Sequence, residues 1–265
     1  MTTMMHRTAR LTTTKSILTP KHTPNIYSTY PYSSATNKNE STAQPQPLIE
    51  LREYSLHPHK TIPYMKLTTD SADLRKSLVP LRLFTLPDTG GQINVATHFY
   101  YYEGGHAARD AARAAMAQKE EWRDYLKEAR PCMQSQKSTL FAEAPLVSRM
   151  ENVPGFSIGQ AESSLISSSS ANNNTVYEIR RYKLKLGYDT VPQFLHLYET
   201  GLPSKLTAAG TDAQTNLISL LYTEVGMLNE VIEIWRHGNG TGGMERSRVA
   251  ARGALEWRGG GGENV

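Results

Sequence analysis

Two short stretches place charged and aromatic side chains at the same spacing. Ile49-Glu50-Leu51-Arg52-Glu53-Tyr54-Ser55-Leu56 is matched by Tyr177-Glu178-Ile179-Arg180-Arg181-Tyr182-Lys183-Leu184. Side chains alternate along a strand, so Glu50, Arg52 and Tyr54 share one face, and Glu178, Arg180 and Tyr182 share its counterpart. Further on, Asn94, Ala96, His98 and Tyr100 share a face, answered by Asn229, Val231, Glu233 and Trp235. If these faces point inward between two sheets, Arg52, Tyr54, Asn94, His98, Tyr100, Arg180, Tyr182, Asn229, Glu233 and Trp235 line a pocket. Apolar walls with a few polar groups suit a small molecule, and His98 would move a proton near neutral pH. The plainer reading is packing. Glu50 with Arg52, and Glu178 with Arg180, neutralise each other across a sheet, and the aromatic residues pack with satisfied polar tips. Packing is favoured, because Glu233 stands where the first copy has His98.

Other chemistry-bearing residues give weaker signals. Arg109 and Arg113, like Arg248 and Arg252, are four apart. Either they form a basic stripe for an acidic partner, or their stems cover a solvated Ala-rich helix face, which is the favoured reading. His57-Pro58-His59 is too short to hold a metal alone. The single cysteine, Cys132, excludes an internal disulfide framework and a Cys-based zinc site made by this chain alone. No nucleophile-elbow, Walker, Rossmann or H-E-x-x-H motif is present. Gly238-Asn239-Gly240-Thr241-Gly242-Gly243 lacks the Lys-Ser/Thr of a phosphate cradle and reads as a flexible turn before the last helix. No catalytic set, metal or cofactor is expected.

The 265 residues allow one or two domains, and no run of about 18 apolar residues supplies a bilayer-crossing helix. The 29 basic and 25 acidic residues give a net charge of +4. Five of the basic residues and none of the acidic ones fall in residues 1–39, so the remainder carries 24 against 25, a net of −1. Nucleic-acid binding is therefore not expected of the body. The leader, residues 1–47, is acid-poor and rich in Ser and Thr, the composition of a mitochondrial or plastid transit peptide.

The elements that must position the candidate residues occur twice. The opening strand in each copy is followed by a helical stretch, at about 60–79 and 189–207, with Pro63 and Pro192 in first-turn positions. Strands follow at 81–87 and 92–102, then at 217–224 and 228–236. Gly91-Gln92-Ile93-Asn94 is matched by Gly226-Met227-Leu228-Asn229, Ala111-Ala112-Arg113 by Ala250-Ala251-Arg252, and Glu121-Trp122 by Glu256-Trp257. Residues 107–130 predict one long Ala-rich helix, and residues 138–142 a closing strand. The order is β-α-β-β-α-β, a ferredoxin-like unit with one bare sheet face. Two copies cover each other's bare faces from water. The expected organisation is a first unit over 48–147, a flexible Ser/Asn-rich linker over 148–175, a second unit over 176–258 and a disordered tail over 259–265.

Glu50-Leu51-Arg52-Glu53-Tyr54, Gln92-Ile93-Asn94 through His98, Tyr177 to Tyr182, and Leu221 to Gly226 through Trp235-Arg236 together resemble the NIPSNAP family, within the dimeric α/β-barrel superfamily. The resemblance spans roughly 48–143 and 176–257. It implies an α+β fold of two tandem ferredoxin-like units packed as an intrachain pseudo-dimeric α/β barrel. It also implies mitochondrial residence, in the matrix or peripheral to a membrane, and a non-enzymatic adaptor role in mitochondrial quality control or vesicle trafficking. Partners are then other proteins, autophagy or trafficking factors among them. The alternative is a small-molecule-binding or monooxygenase-like enzyme using a pocket between the sheets, since related α/β-barrel families include such enzymes. Phe194-Leu195-His196-Leu197 and Tyr222-Thr223-Glu224-Val225 fit the aromatic-x-x-aliphatic peptide that autophagy receptors add to a sheet edge, but both fall inside expected elements.

The second copy departs from the first after its tryptophan. Trp257 is followed by Arg258 and four glycines, which oppose a helix, and no strand sequence follows. The second unit is thus expected to lack its last strand, leaving a sheet edge through which copies of the chain could associate.

Overall fold

The computed structural model describes residues 45–157 and 174–261. Most of the leader, the Ser/Asn-rich part of the linker and residues 262–265 lie outside the described residues. The first half runs β1 (Leu48–Leu56), α1 (Thr61–Asp70), α2 (Ala72–Leu78), β2 (Leu81–Thr85), β3 (Val95–Tyr102), α3 (Gly105–Ala117), α4 (Glu120–Ala129) and β4 (Met133–Glu143). A short helix, α5 (Pro145–Arg149), leads away from it. The second half runs β5 (Val176–Lys183), α6 (Thr190–Leu206), β6 (Thr215–Val225), β7 (Glu230–His237), α7 (Gly240–Gly253) and α8 (Leu255–Gly261).

All seven strands join one antiparallel sheet in the order β2-β3-β1-β4-β6-β7-β5. The first four form a complete ferredoxin-like unit. The last three repeat the order second-third-first of such a unit, with no fourth strand among the described residues. The halves join where β4 meets β6, with Phe141 opposite Thr223 and Ala142 opposite Tyr222. Tyr222 is therefore occupied in the ladder, and Phe194 lies within α6. Neither short aromatic motif is an open peptide.

One face of the sheet is apolar in every strand. Ile49, Leu51, Leu83, Phe99, Tyr101, Phe141, Ile218, Leu221, Ile232 and Ile234 form one buried cluster, with Tyr177 and Ile179 against it. Neither half has helices to cover this face, so the two supply each other's cover. At one end of this interior Arg181 reaches from β5 to Glu53 of β1 at 2.8 Å. The fold is thus two tandem ferredoxin-like units forming an intrachain pseudo-dimeric α/β barrel, the second without a last strand among the described residues. The opposite face carries the helices, over separate cores around Tyr64, Tyr100 and Trp122 in the first half and around Tyr198, Leu202 and Trp235 in the second.

Several sequence expectations need correction. The single helix over 107–130 is two, broken where Lys119 is extended at φ −80° and ψ 128°. The beginning of the expected linker is core. Phe156 is fully buried and stacks on Phe99 at 5.5 Å, and its N–H donates to Glu143 Oε1 at 2.7 Å. The glycine turn before the last helix is already helical from Gly240, and the expected tail is helical to Gly261. Packing overrides propensity at that end. Trp257 N–H donates to Ser204 Oγ at 3.0 Å, and its indole meets Tyr198 edge-on at 5.1 Å.

One close approach occurs in both halves. Gly105 and Gly240 open the helices after β3 and β7 with φ of +65° and +67°. A Cβ on either would meet a carbonyl oxygen, that of Gln46 or of Asn174, at 2.8 and 2.7 Å. Both demand glycine for the same reason: the chain entering the first strand passes directly over the helix start.

Candidate functional site

Each half contains a glutamate hub beneath its helices. β1 sets Glu50 and Arg52 on the helix-facing side, opposite Tyr100 and His98 of β3. Glu50 accepts from Arg52 Nε, Arg113 Nη2 and Ser138 Oγ, each at 2.7 Å. Arg109 Nη2 donates at 3.2 Å and Tyr102 Oη at 3.3 Å. Burial alone would raise this carboxyl, but Arg113 and Arg52 outweigh it and hold the pKa at about 2. In the second half Arg180 donates to Glu178 at 2.8 and 2.9 Å, with Arg248 and His237 as its other partners. Burial again pushes upward, and His237, Arg180 and Arg248 hold Glu178 well below the usual carboxylate range. Both carboxylates are fixed as anions and make poor general bases.

Next to each hub a cation from the first helical segment lies against aromatic rings, and here the halves differ. In the first, buried Arg75 donates to Tyr100 Oη at 2.7 Å and Tyr125 Oη at 2.5 Å, 4.9 Å from the centre of the Trp122 ring. His98 is fully buried beside it, and burial together with the Arg75 charge pushes its pKa well down. A neutral imidazole behind a fixed cation is a packing residue, not a proton carrier at neutral pH. In the second half Lys205 lies 3.8 Å from the Trp235 ring centre and 4.0 Å from that of Trp257. Here a cavity of about 450 Å³ opens, bordered by Arg180, Lys205, Trp235, Arg248, Arg252 and Trp257 among others. Burial draws the Lys205 ammonium down to about 8.

The same first half matches a known family: residues 49–147 fit the family model described as NIPSNAP. Residues 49–147 form a NIPSNAP domain. No curated protein matches the chain. Among solved structures, an uncharacterized NIPSNAP domain protein from Burkholderia xenovorans is 22% identical, covering 37% of this chain and 95% of its own, with a TM-score of 0.35. A NIPSNAP family protein from Agrobacterium tumefaciens str. C58 is 18% identical, covering 37% of this chain and 94% of its own, with a TM-score of 0.35. A putative monooxygenase from Fusobacterium nucleatum is 11% identical and covers 81% of this chain and 84% of its own, with a TM-score of 0.49.

The NIPSNAP domain does not place the expected lining where alternation suggested. Arg52, Tyr54, His98 and Tyr100 face the helices, and so do Arg180, Tyr182, Glu233 and Trp235 of the second half. The space between the two halves is taken by the opposite face, a buried apolar cluster with Glu143 and the Arg181–Glu53 pair among its few polar members. The expected polar lining there is therefore corrected to a mainly apolar, buried cluster. Asn94 and Asn229 stand just outside β3 and β7, where their carbonyls accept from Leu56 and Leu184 N–H at 2.7 and 2.8 Å and pin the ends of β1 and β5. Of the ten expected residues only Arg180 and Trp235 border the cavity. Arg109 and Arg113 are not a solvated stripe but ligands of Glu50, as Arg248 is of Glu178. Sequence reading missed Arg75, Lys205 and Trp257 as site residues. The repeated Glu-Trp pair was the signal for Trp257; nothing local marks a helical Arg or Lys as buried. Among the described residues no cluster of His, Cys, Asp or Glu suits a metal ion.

Proposed function

We propose that this chain is a non-enzymatic interaction protein of NIPSNAP type, working in mitochondria by presenting folded surfaces to proteins of quality control or vesicle trafficking. One observation carries the reading. The interior between the halves is a buried, mainly apolar cluster, while large apolar side chains face water on two adjoining loops of the second half. Leu186 and Tyr188 after β5, and Met227 and Leu228 on the β6–β7 hairpin, are all exposed. Asn229 O accepts from Leu184 N–H at 2.8 Å and ties the two loops together. Apolar groups held out in this way mark a protein-docking surface. The acid-poor leader supports mitochondrial import.

The test is affinity capture from isolated mitochondria with the full chain, wild type against Leu186→Asp/Leu228→Asp. Both substitutions lie at exposed loop positions, so circular dichroism and Tm should match the wild type. The expected result is a defined set of proteins retained by the wild type and lost by the double variant. Identical capture by both chains would defeat the proposal.

A further inference from the structure

We propose that the helix-covered side of the second half binds a small organic anion, its carboxylate or phosphate beside Lys205 and its apolar body against Trp235 and Trp257. The cavity of about 450 Å³ falls within the range of small-molecule sites. Its border carries five cations, Arg180, Lys205, Arg248, Arg252 and Arg258, and no carboxylate. The acids behind it are already engaged: Glu178 by Arg180 and Arg248, and Glu233 by Arg180 and by the Trp235 indole N–H at 2.7 Å. Among the described residues Lys205, Arg252 and Arg258 make no direct salt bridge, and Glu233 and Glu178 act on Lys205 only from beyond that distance.

Lys205 is the strongest sign. It is 7% exposed, and its ammonium has no hydrogen-bond acceptor. Two indole faces offset part of the cost of burying its charge. Its three N–H donors still need oxygen, and buried donors without acceptors are rare in folded proteins.

In the first half the matching cation finds oxygen acceptors at both of its terminal nitrogens, although its Nε has none. Arg75 occupies the matching place over Trp122, and the hydroxyls of Tyr100 and Tyr125 accept hydrogen bonds from its Nη1 and Nη2. Arg113 is closed onto Glu50. Counting on from Trp122 and Trp257, the residue corresponding to Tyr125 is Gly260, and that corresponding to Tyr100 is Trp235, which has no acceptor oxygen. Arg252, the counterpart of Arg113, borders the cavity instead of binding Glu178. The second copy has therefore lost the internal acceptors and kept the cation. A ligand oxygen fills that role, and the flanking indoles favour a flat or aromatic body on the same molecule.

The test uses the full chain and three probes of similar size: phenylacetate, phenyl phosphate and the neutral 2-phenylethanol. Two of the three tryptophans border the cavity, so intrinsic fluorescence reports occupancy, with Tm shift as a second readout. Either anion should perturb the fluorescence saturably and raise Tm, and the alcohol should do neither. Preference between the two anions identifies the head group. Lys205→Met, which keeps the length of the stem, and Arg252→Ser, at an exposed position, should each weaken binding at least tenfold. Should Lys205→Met fail to fold, Arg252→Ser carries the comparison. Equal binding of the alcohol, no response to either anion, or full affinity in Arg252→Ser would overturn the site.

Discussion

Glu50 accepts from Arg52, Arg109 and Arg113 within 3.3 Å, and this crowding sets both its charge and its role. Its pKa of about 2 lies below the 4.5 of a free glutamate. A carboxyl depressed by folding contributes stability above its unfolded pKa and loses it as pH falls through the folded one. The hub should therefore be at full strength above about pH 4.5 and fail towards pH 2, with Glu178 adding to the loss in the same direction. Buried Glu143 acts oppositely. Burial raises its pKa, so its contribution is present below the unfolded value and fades as pH rises through the folded one. Urea titrations between pH 7 and 2.5 should show the wild-type midpoint falling steeply below pH 4.5. Glu50→Gln should lose about 3 kcal/mol at pH 7, because three arginines are left around a neutral group, and its midpoint should fall less on acidification. Parallel pH slopes for the two chains would mean that the hub does not set acid stability. Sequence alternation identified which residues share a face with Glu50 but not which side that face takes. Ile49 and Leu51 on one side and Tyr54 and Leu56 on the other are both buried. Arg109, Arg113 and Arg248 were the missing clue, since a glutamate occurs at the same strand position in both copies to receive them.

At the scale of elements, the failures of sequence reading share a physical origin. Ser- and Gly-rich composition was read as looseness, whereas burial of one aromatic residue orders the chain around it. Phe156 lies only two residues before the undescribed stretch at 158–173, yet it is fully buried against Phe99 and next to the β4–β6 seam. Gly155 precedes it at φ +66°, and its N–H donates to Ile218 O at 2.8 Å, which turns the ring inward. Phe156→Ala should cost about 3–5 kcal/mol by chemical denaturation, the loss typical of an aromatic removed from a core. A cost below about 1 kcal/mol would return residues 148–157 to the status of a linker. α8 makes the same point through Trp257, whose contacts with Ser204 and Tyr198 hold a glycine-rich turn in helical form. The break between α3 and α4 is subtler. Ala supports helix on either side of Lys119, but Trp122 and Tyr125 reach the sheet only from a redirected second segment that begins with Glu120 and Glu121 in its first turn.

At the scale of the whole molecule, the duplication was legible because both copies keep the same residues in the same order, and the strand order β2-β3-β1-β4-β6-β7-β5 repeats accordingly. What periodicity could not supply was the division of labour between the copies. The first half closes its polar core on Arg75, while the second leaves a cavity around Lys205, and this difference rests on single residues such as Tyr125 and Gly260. The halves nonetheless share one apolar interior to which all seven strands contribute. Neither can expose its inner face without uncovering the other's, so unfolding should be a single cooperative step. Labelling with 5-fluorotryptophan gives one fluorine reporter in the first half, Trp122, and two in the second, Trp235 and Trp257, assignable through single Trp→Phe variants. Along a urea titration, the native resonances of Trp122 and Trp235 should disappear with one midpoint, coincident with loss of far-UV ellipticity. Separate midpoints would show that β4–β6 pairing and the common interior do not couple the halves, and that each unit stands on its helix-side core alone.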